Sequence, residues 1–361
     1  MRNIKVLALA LYGDVAASTR IRINQFSMKL KEDNITLQTY SLLGNDYLTY
    51  KSQKKQLPFF SILGSYIQRA FYLLFRYDHD LIFLHLELFP FFPSFVERIF
   101  LKNKKYIYDF DDAFYLKYKS GRFKFLETLL GKKFDEIIKN AKLVTAGSQE
   151  LYSYAVKFNP NVILMPSSVD TEQFYKIFEK KYDSFNEKNP LILGWIGSSS
   201  TQKYLNILKS PIEELGEQIS IKLVIVGGKI GKLKNIKVEE MDWSNEMEND
   251  FLNSIDIGLM PLSDDQWSRG KCGYKLLQYM SCGKPVIASK VGANKTIVND
   301  VCGILVESNQ EWKRAILKFY NNPTLISIYG KEAYLRAETR FSANANFSII
   351  RDAIIEVNDL D

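Results

Sequence analysis

The chain has 361 residues, 46% hydrophobic and 25% charged, so it is long enough for two cores and too apolar to be disordered. Its three cysteines, Cys272, Cys282 and Cys302, form no C-x-x-C pair, which excludes a disulfide framework and a structural zinc site and fits a reducing compartment. Two histidines exclude chemistry built on several, and a net charge of +7 fits an anionic ligand or membrane surface better than nucleic acid, because the cations are scattered.

The opening MRNIKVLALALYGD has the basic start and apolar run of a signal peptide. The run is short and ends at Gly13-Asp14, so it reads as a first buried strand. No stretch of about 18 uncharged apolar residues follows, and no spanning helix is expected. Strands are expected at IKVLALA, LIFLHL, KYIYDF, KLVTAG and NVILMPS, then at LILGWIGS, KLVIVGG, DIGLMPL, KPVIAS and GILVE. Most lack period-two alternation, as parallel strands covered on both faces do. Helices are expected between them, at 25–31, 149–157 and 274–280 among others. Two sets of β-then-α units predict an α/β chain of two doubly wound domains with a cleft between them. The boundary falls within NPNVILMPSSVDTEQF, giving domains 1–167 and 168–344. A final helix near 345–361 is able to pack back on the first.

In the first domain, YGDVAASTRIRINQF sets Arg20 and Arg22 near the beginning of a helix, as a charged face or an anion contact. The stretches QLPFFSILGSYIQRAFYLLFRYDHD and LFPFFPSFVERIFLKNKKY mix aromatics with Lys and Arg. They read first as aromatic core helices and second as an interfacial membrane contact. His85 reads as a core or hydrogen-bonded histidine, and Glu87 follows the same strand toward the crevice. YDFDDAFY then crowds Asp109, Asp111 and Asp112 at a strand end. D-x-D on its own invites a metal. Carboxylates so close must be hydrated, paired or protonated.

In the second domain, a strand runs into Gly197 and then Ser198, Ser199, Ser200 and Thr201 before a helix. Ordinary capping explains this turn as well as an anion site does. Gly227 and Gly228 end KLVIVGG and would let a base approach the backbone, while Trp243 either stacks on a base or packs the domain. The segment DIGLMPLSDDQWSRGKCGYKLLQYMSCGKPVIAS predicts a helix from about Gly273 to Gly283, with Pro285 following. Arg269, Lys271 and Lys275 gather at its N-terminus, where each opposes the helix dipole by roughly 0.3–1 kcal/mol. An anion such as a diphosphate would account for them.

This region resembles the signature of the retaining, nucleotide-sugar-dependent glycosyltransferases of family 4, which have the GT-B fold. KLVTAGSQELYSYAVKFNPNVILMPSSVDTEQF, LGWIGSSST, KLVIVGG, DIGLMPL and KLLQYMSCGKPVIASKVGANKTIV occur in the family's order. The resemblance implies two Rossmann-like domains facing each other across a deep cleft, the N-terminal one binding the acceptor and the C-terminal one the donor. It implies a hexosyltransferase that moves a sugar from a nucleoside diphosphate to a glycan or lipid-linked acceptor with retention, in bacterial surface polysaccharide synthesis. No metal and no cofactor beyond the nucleotide-sugar co-substrate are implied, and the location is cytoplasmic, free or peripheral on the membrane. The diphosphate would lie on Gly197, Ser198, Ser199, Thr201, Arg269, Lys271 and Lys275. Acceptor contacts would fall to Arg20, Arg22, Glu87 and Asp109, and Asp111 or Asp112 would act as base or orienting group, with Lys275 stabilising the leaving group. The family's paired glutamates are absent: Gln278 holds the second place and Gly270 the first, in a loop about five residues longer than usual. Gln278 would hydrogen-bond a ribose hydroxyl, and Asp264 or Asp265 would take over the donor-sugar contact. Two other readings stand beside this one: an inactive nucleotide-sugar-binding or partner subunit, and a metal-dependent transferase using Asp109 and Asp111.

Overall fold

The computed structural model describes residues 3–52, 59–174 and 184–360. The chain divides into two compact units, Met1–Ser167 with Gly270–Cys272 and Asn346–Asp361, and Ser168–Arg269 with Gly273–Ala345. Within the lysine-rich stretch after the boundary, 175–183 lie outside the described residues.

The first unit is built on β1 (Ile4–Tyr12), β2 (Ile35–Leu43), β3 (Leu81–His85), β4 (Tyr106–Phe110), β5 (Leu143–Ala146) and β6 (Val162–Leu164). Their order is β2-β1-β3-β4-β5-β6, and every pairing is parallel. β3, β4 and β5 are buried at every residue, which is why they read as unbroken apolar runs. β2 is absent from the sequence expectations, because this edge strand keeps part of its length in water and mixes polar with apolar residues. The last helix, Ala343–Asp359, joins this unit from Asn346 onward. There Arg351 lies 3.6 Å from Asp33, and Lys105 donates to the Asn358 carbonyl at 2.9 Å.

The second unit holds β7 (Leu191–Ile196), β8 (Ile221–Val226), β9 (Lys237–Met241), β10 (Ile257–Met260), β11 (Val286–Ser289) and β12 (Gly303–Val306). The order is β12-β11-β10-β7-β8-β9, again all parallel. β9, the charged sequence KVEEM, is the other edge strand that apolar pattern misses. Side chains of β8 alternate between two cores. Val224 and Val226 pack with Leu276, Leu277 and Met280, and Leu223 and Ile225 pack with Leu208 and Ile212. The helix Tyr274–Ser281 starts after Gly273 at φ 69° and stops before Gly283 at φ 67°. All three cysteines are buried and free, and burial pushes the Cys282 thiol up to about 12. Among the described residues, no helix is long and apolar enough to cross a membrane.

Three strands of the first sheet meet at one buried charge. Register sets His85 opposite Asp109 and Asp109 opposite Thr145, so the three side chains share a face. Asp109 accepts from Thr145 Oγ1 at 2.6 Å, from His85 Nδ1 at 2.7 Å and from Arg22 Nε at 3.1 Å, with a second bond from Arg22 Nη2. Arg22, at the end of the helix Ala17–Arg22, gives Nη1 to the Met165 carbonyl at 2.6 Å. Burial alone would raise the Asp109 carboxyl. The Arg22 guanidinium and the His85 hydrogen bond together outweigh it and hold the group below the usual carboxylate range.

This corrects the expectation that Arg22 and Asp109 meet an acceptor: both are fully buried, and these bonds are spent within the sheet. Glu87 is corrected in the same way. It has no exposed surface, and it pairs with Lys117, with Lys133 at 3.2 Å and with Tyr118 Oη at 2.8 Å.

Replacing Asp109 by Ala leaves a buried guanidinium without its counter-charge and is expected to cost about 3–5 kcal/mol, read as a lower urea midpoint. The depressed carboxyl contributes its stability above the unfolded value, near about pH 4, and loses it as pH falls toward the folded value. Between about pH 5 and 3 the wild-type midpoint should therefore fall more steeply than that of Asp109→Asn. Equal slopes would remove Asp109 from the acid response.

Candidate active site

In open parallel sheets, ligands collect beyond the strand C-termini where the strand order reverses. In the second unit that place lies between β7 and β10. Gly197 continues β7 by donating to the Val226 carbonyl at 2.9 Å, and the chain then turns. Thr201 N donates to the Ser198 carbonyl at 2.9 Å, Ser198 N to Thr201 Oγ1 at 3.2 Å, and the Ser198 and Ser200 hydroxyls meet at 2.8 Å. From the first turn of the helix Tyr274–Ser281, Lys275 reaches Thr201 Oγ1 at 3.1 Å. Its ammonium sits 4.2 Å from the ring centre of Trp195, a cation–π contact with a fully buried indole. Gly197 is required here: a Cβ would strike both the Trp195 ring and Lys275 Nζ. Gly227 has φ 74°, and a Cβ there would fall on the Gly197 carbonyl, so the two turns pack backbone to backbone. Gly228 is fitted against the same Trp195 ring.

The loop after β10 uses its acids locally. Asp265 accepts from Ser268 N at 2.8 Å and from Ser263 Oγ at 2.5 Å, shaping the short helix Gln266–Arg269. Asp264 and Arg269 form a two-bond pair at 2.6 and 3.0 Å on the surface, and that bond holds the Asp264 carboxyl below its ordinary value. Lys271 lies in the first unit, 3.4 Å from Asp112. The three cations that the sequence gathers at one helix end therefore take separate partners, and Lys275 is the one against the Ser198–Thr201 turn.

Gln278 is buried, and its Nε2 donates to Glu248 Oε1 at 2.5 Å. The other Glu248 oxygen accepts from the Trp243 indole at 2.9 Å. Glu248 stands near the start of the helix Asn245–Ser254, capped by Ser244, just beyond β9. It thus joins two residues singled out in the sequence, and it was missed because nothing in the spacing of residues 248 and 278 signals contact.

In the first unit the order reverses between β1 and β3. Arg20 holds the loop after β1 by donating to the carbonyls of Asp14 at 3.0 Å and Val15 at 2.7 Å. Past β4, the side chain of Asp111 is 14% exposed, and its Oδ1 lies 3.8 Å from His85 Nε2, beyond hydrogen-bond range. That ring nitrogen is buried with no hydrogen-bond partner. His85 therefore bonds the closed carboxylate, Asp109, and lies beside the open one, Asp111, without bonding it. With Asp109 committed to Arg22, the D-x-D sequence does not offer a metal two available carboxylates. Gly270–Cys272 packs on this strand end, where Gly147 has no room for a Cβ beside Cys272 Sγ and Asp111 Cα.

Residues 190–322 match the family model described as Glycosyl transferases group 1. An uncharacterised glycosyltransferase of Methanocaldococcus jannaschii is 24% identical, over 92% of this chain and 93% of its own. Among solved structures, sucrose-phosphate synthase from Thermosynechococcus elongatus superposes with a TM-score of 0.71 at 14% identity, covering 98% of this chain and 99% of that one. Anabaena HepE, solved with UDP and glucose, gives 0.67 at 16% identity over 98% and 100% of the two chains. WaaG, a glycosyltransferase involved in lipopolysaccharide biosynthesis, gives 0.66 at 14% identity over 98% and 100%. The likeness to these structures is one of fold. The chain has the GT-B fold, carries a Glycosyl transferases group 1 domain, and is a transferase enzyme.

Proposed function

We propose that this glycosyltransferase moves a hexose-type sugar from a nucleoside-diphosphate sugar to a glycan or lipid-linked glycan, with retention and without a metal. Its place would be bacterial surface polysaccharide synthesis, at the cytoplasmic face of the membrane. The observation that carries the reading is Lys275 against the Ser198–Thr201 turn, at the point where the second sheet reverses its order. When the bond to the sugar breaks, negative charge grows on the departing diphosphate. A fixed ammonium beside it stabilises that state more than the bound donor. Arg269 joins this role only by exchanging Asp264 for the diphosphate.

The ribose is assigned to the Gln278 amide together with the Glu248 carboxylate, and the base to the side of Trp243 and Gly228. In the first unit, Asp111 is the group we assign to orient the acceptor hydroxyl, with His85, itself fixed by Asp109, beside it. A second reading, a nucleotide-sugar-binding subunit without turnover, is favoured by Gln278 and Gly270 standing where the resembled family has glutamates. Nucleotide binding with no transfer across donors and lipid extracts would select it.

A screen of nucleoside diphosphates by thermal unfolding should find one that stabilises the protein, by about 2.7 kcal/mol at a hundredfold excess over Kd. Lys275→Ala should lower kcat/KM at least about tenfold, or 1.4 kcal/mol, and an unchanged value would take Lys275 out of the site. Asp111→Asn should lower kcat while leaving nucleoside diphosphate binding intact; weakened nucleotide binding would contradict its placement on the acceptor side.

A further inference from the structure

The helix Phe59–Phe71, continued by the turn Tyr72–Arg76, is the aromatic stretch read first as a core helix. It turns its apolar row outward. Phe59, Leu63, Ile67, Phe71 and Phe75 recur every four residues along one face, and they are 68, 46, 61, 49 and 71% exposed. The opposite face is fixed by Arg69, fully buried, which donates to the carbonyls of Ala10 at 2.7 Å, Tyr40 at 2.8 Å and Leu88 at 3.2 Å. Those three bonds set the rotation of the helix, so the row does not turn in to be covered.

The apolar surface runs on through ring contacts. Tyr66 of this helix meets Phe92 at 5.9 Å, and the neighbouring Phe91 meets Phe123 at 5.1 Å. On the next helix, Ser94–Leu101, Phe95 and Ile99 are exposed, and the adjacent row carries Arg98 and Lys102. Arg98 and Lys102 line a cavity of about 680 Å³ together with Lys104, Lys105 and Lys142, and its wall also holds Glu97 and the partly exposed Glu136, so cations outnumber carboxylates there. No acidic residue occurs from Phe59 to Arg76, and Glu97 is buried against Lys133. An uncovered apolar patch marks an interaction site, and its border decides the occupant. A second copy of the chain would bring cations against cations, whereas an anionic bilayer meets aromatics and cations alike.

We propose that the first unit docks on an anionic lipid bilayer, the Phe59–Phe75 row entering the headgroup boundary and the Arg98–Lys102 cavity receiving a lipid phosphate. This deepens the reading of a lipid-linked acceptor and rests on it for its purpose, but its readout needs no turnover.

The test is sedimentation of the full chain with phosphatidylcholine vesicles, with and without about 30% phosphatidylglycerol. Binding should be at least tenfold greater on the anionic vesicles and fall with salt. Ile67→Glu with Phe71→Glu should lower it at least tenfold, and Arg98→Ala about fivefold. Should the double variant fail to fold, Phe60→Trp decides: the emission of the introduced indole should shift blue on vesicles and be quenched by brominated lipid. Wild-type protein left in the supernatant, glutamate variants that bind as well as wild type, or a Phe60→Trp emission blind to vesicles would overturn the proposal. So would a dimer in gel filtration that the glutamate variants dissolve, since the face would then belong to a second copy. Vesicle binding with no sugar transfer to lipid-linked acceptors would sink the proposed acceptor and leave the docking standing.

Discussion

Parallel pairing of all twelve strands among the described residues is the constraint from which the remaining architecture follows. Parallel neighbours cannot be joined by tight hairpins, so the chain crosses back over a face between strands, and every strand delivers its C-terminal end to one edge of its sheet. Each sheet also reverses its order once, between β1 and β3 and between β7 and β10, and a reversal sends consecutive connections to opposite faces. The turn Ser198–Thr201, the Asp264–Arg269 loop and the Arg20 loop all lie at such points. Their placement is a property of topology before it is one of chemistry.

The two units treat charge differently at those edges. In the first, charge is closed inward: Arg22 with Asp109, and Glu87 and Glu97 around Lys133, are buried pairs. Desolvation cancels much of the attraction within such pairs, so the larger effect is the penalty for removing one partner and leaving the other charge buried. In the second unit, Lys275 is held by an aromatic face and a hydroxyl. An ammonium so placed stays able to answer a new anion. Asp111 and His85 stand between these extremes, one partly open and the other anchored to the closed cluster.

Much of this was legible in sequence because burial leaves a signature. Strands covered on both faces read as apolar runs, and Gly273 and Gly283 mark the helix between them through a backbone conformation that other residues rarely adopt. The edge strands β2 and β9 were hidden for the opposite reason, since one side of each meets water. Side-chain partners were the hardest to read. That crowded carboxylates must be hydrated, paired or protonated followed from electrostatics. That Arg22 closes on Asp109 across 87 residues, or Glu248 on Gln278 across 30, follows only from the packed chain.

The buried cysteines carry a practical corollary. Burial raises all three thiols, Cys272 and Cys282 most, so almost none of any of them is thiolate at neutral pH, and alkylating reagents and mild oxidants act through the thiolate. Buried and held as thiols, the three are expected to react slowly with maleimide in the native chain. A single cysteine introduced on the surface would stand as the one reactive address for a spectroscopic label, with no need to remove the natural three.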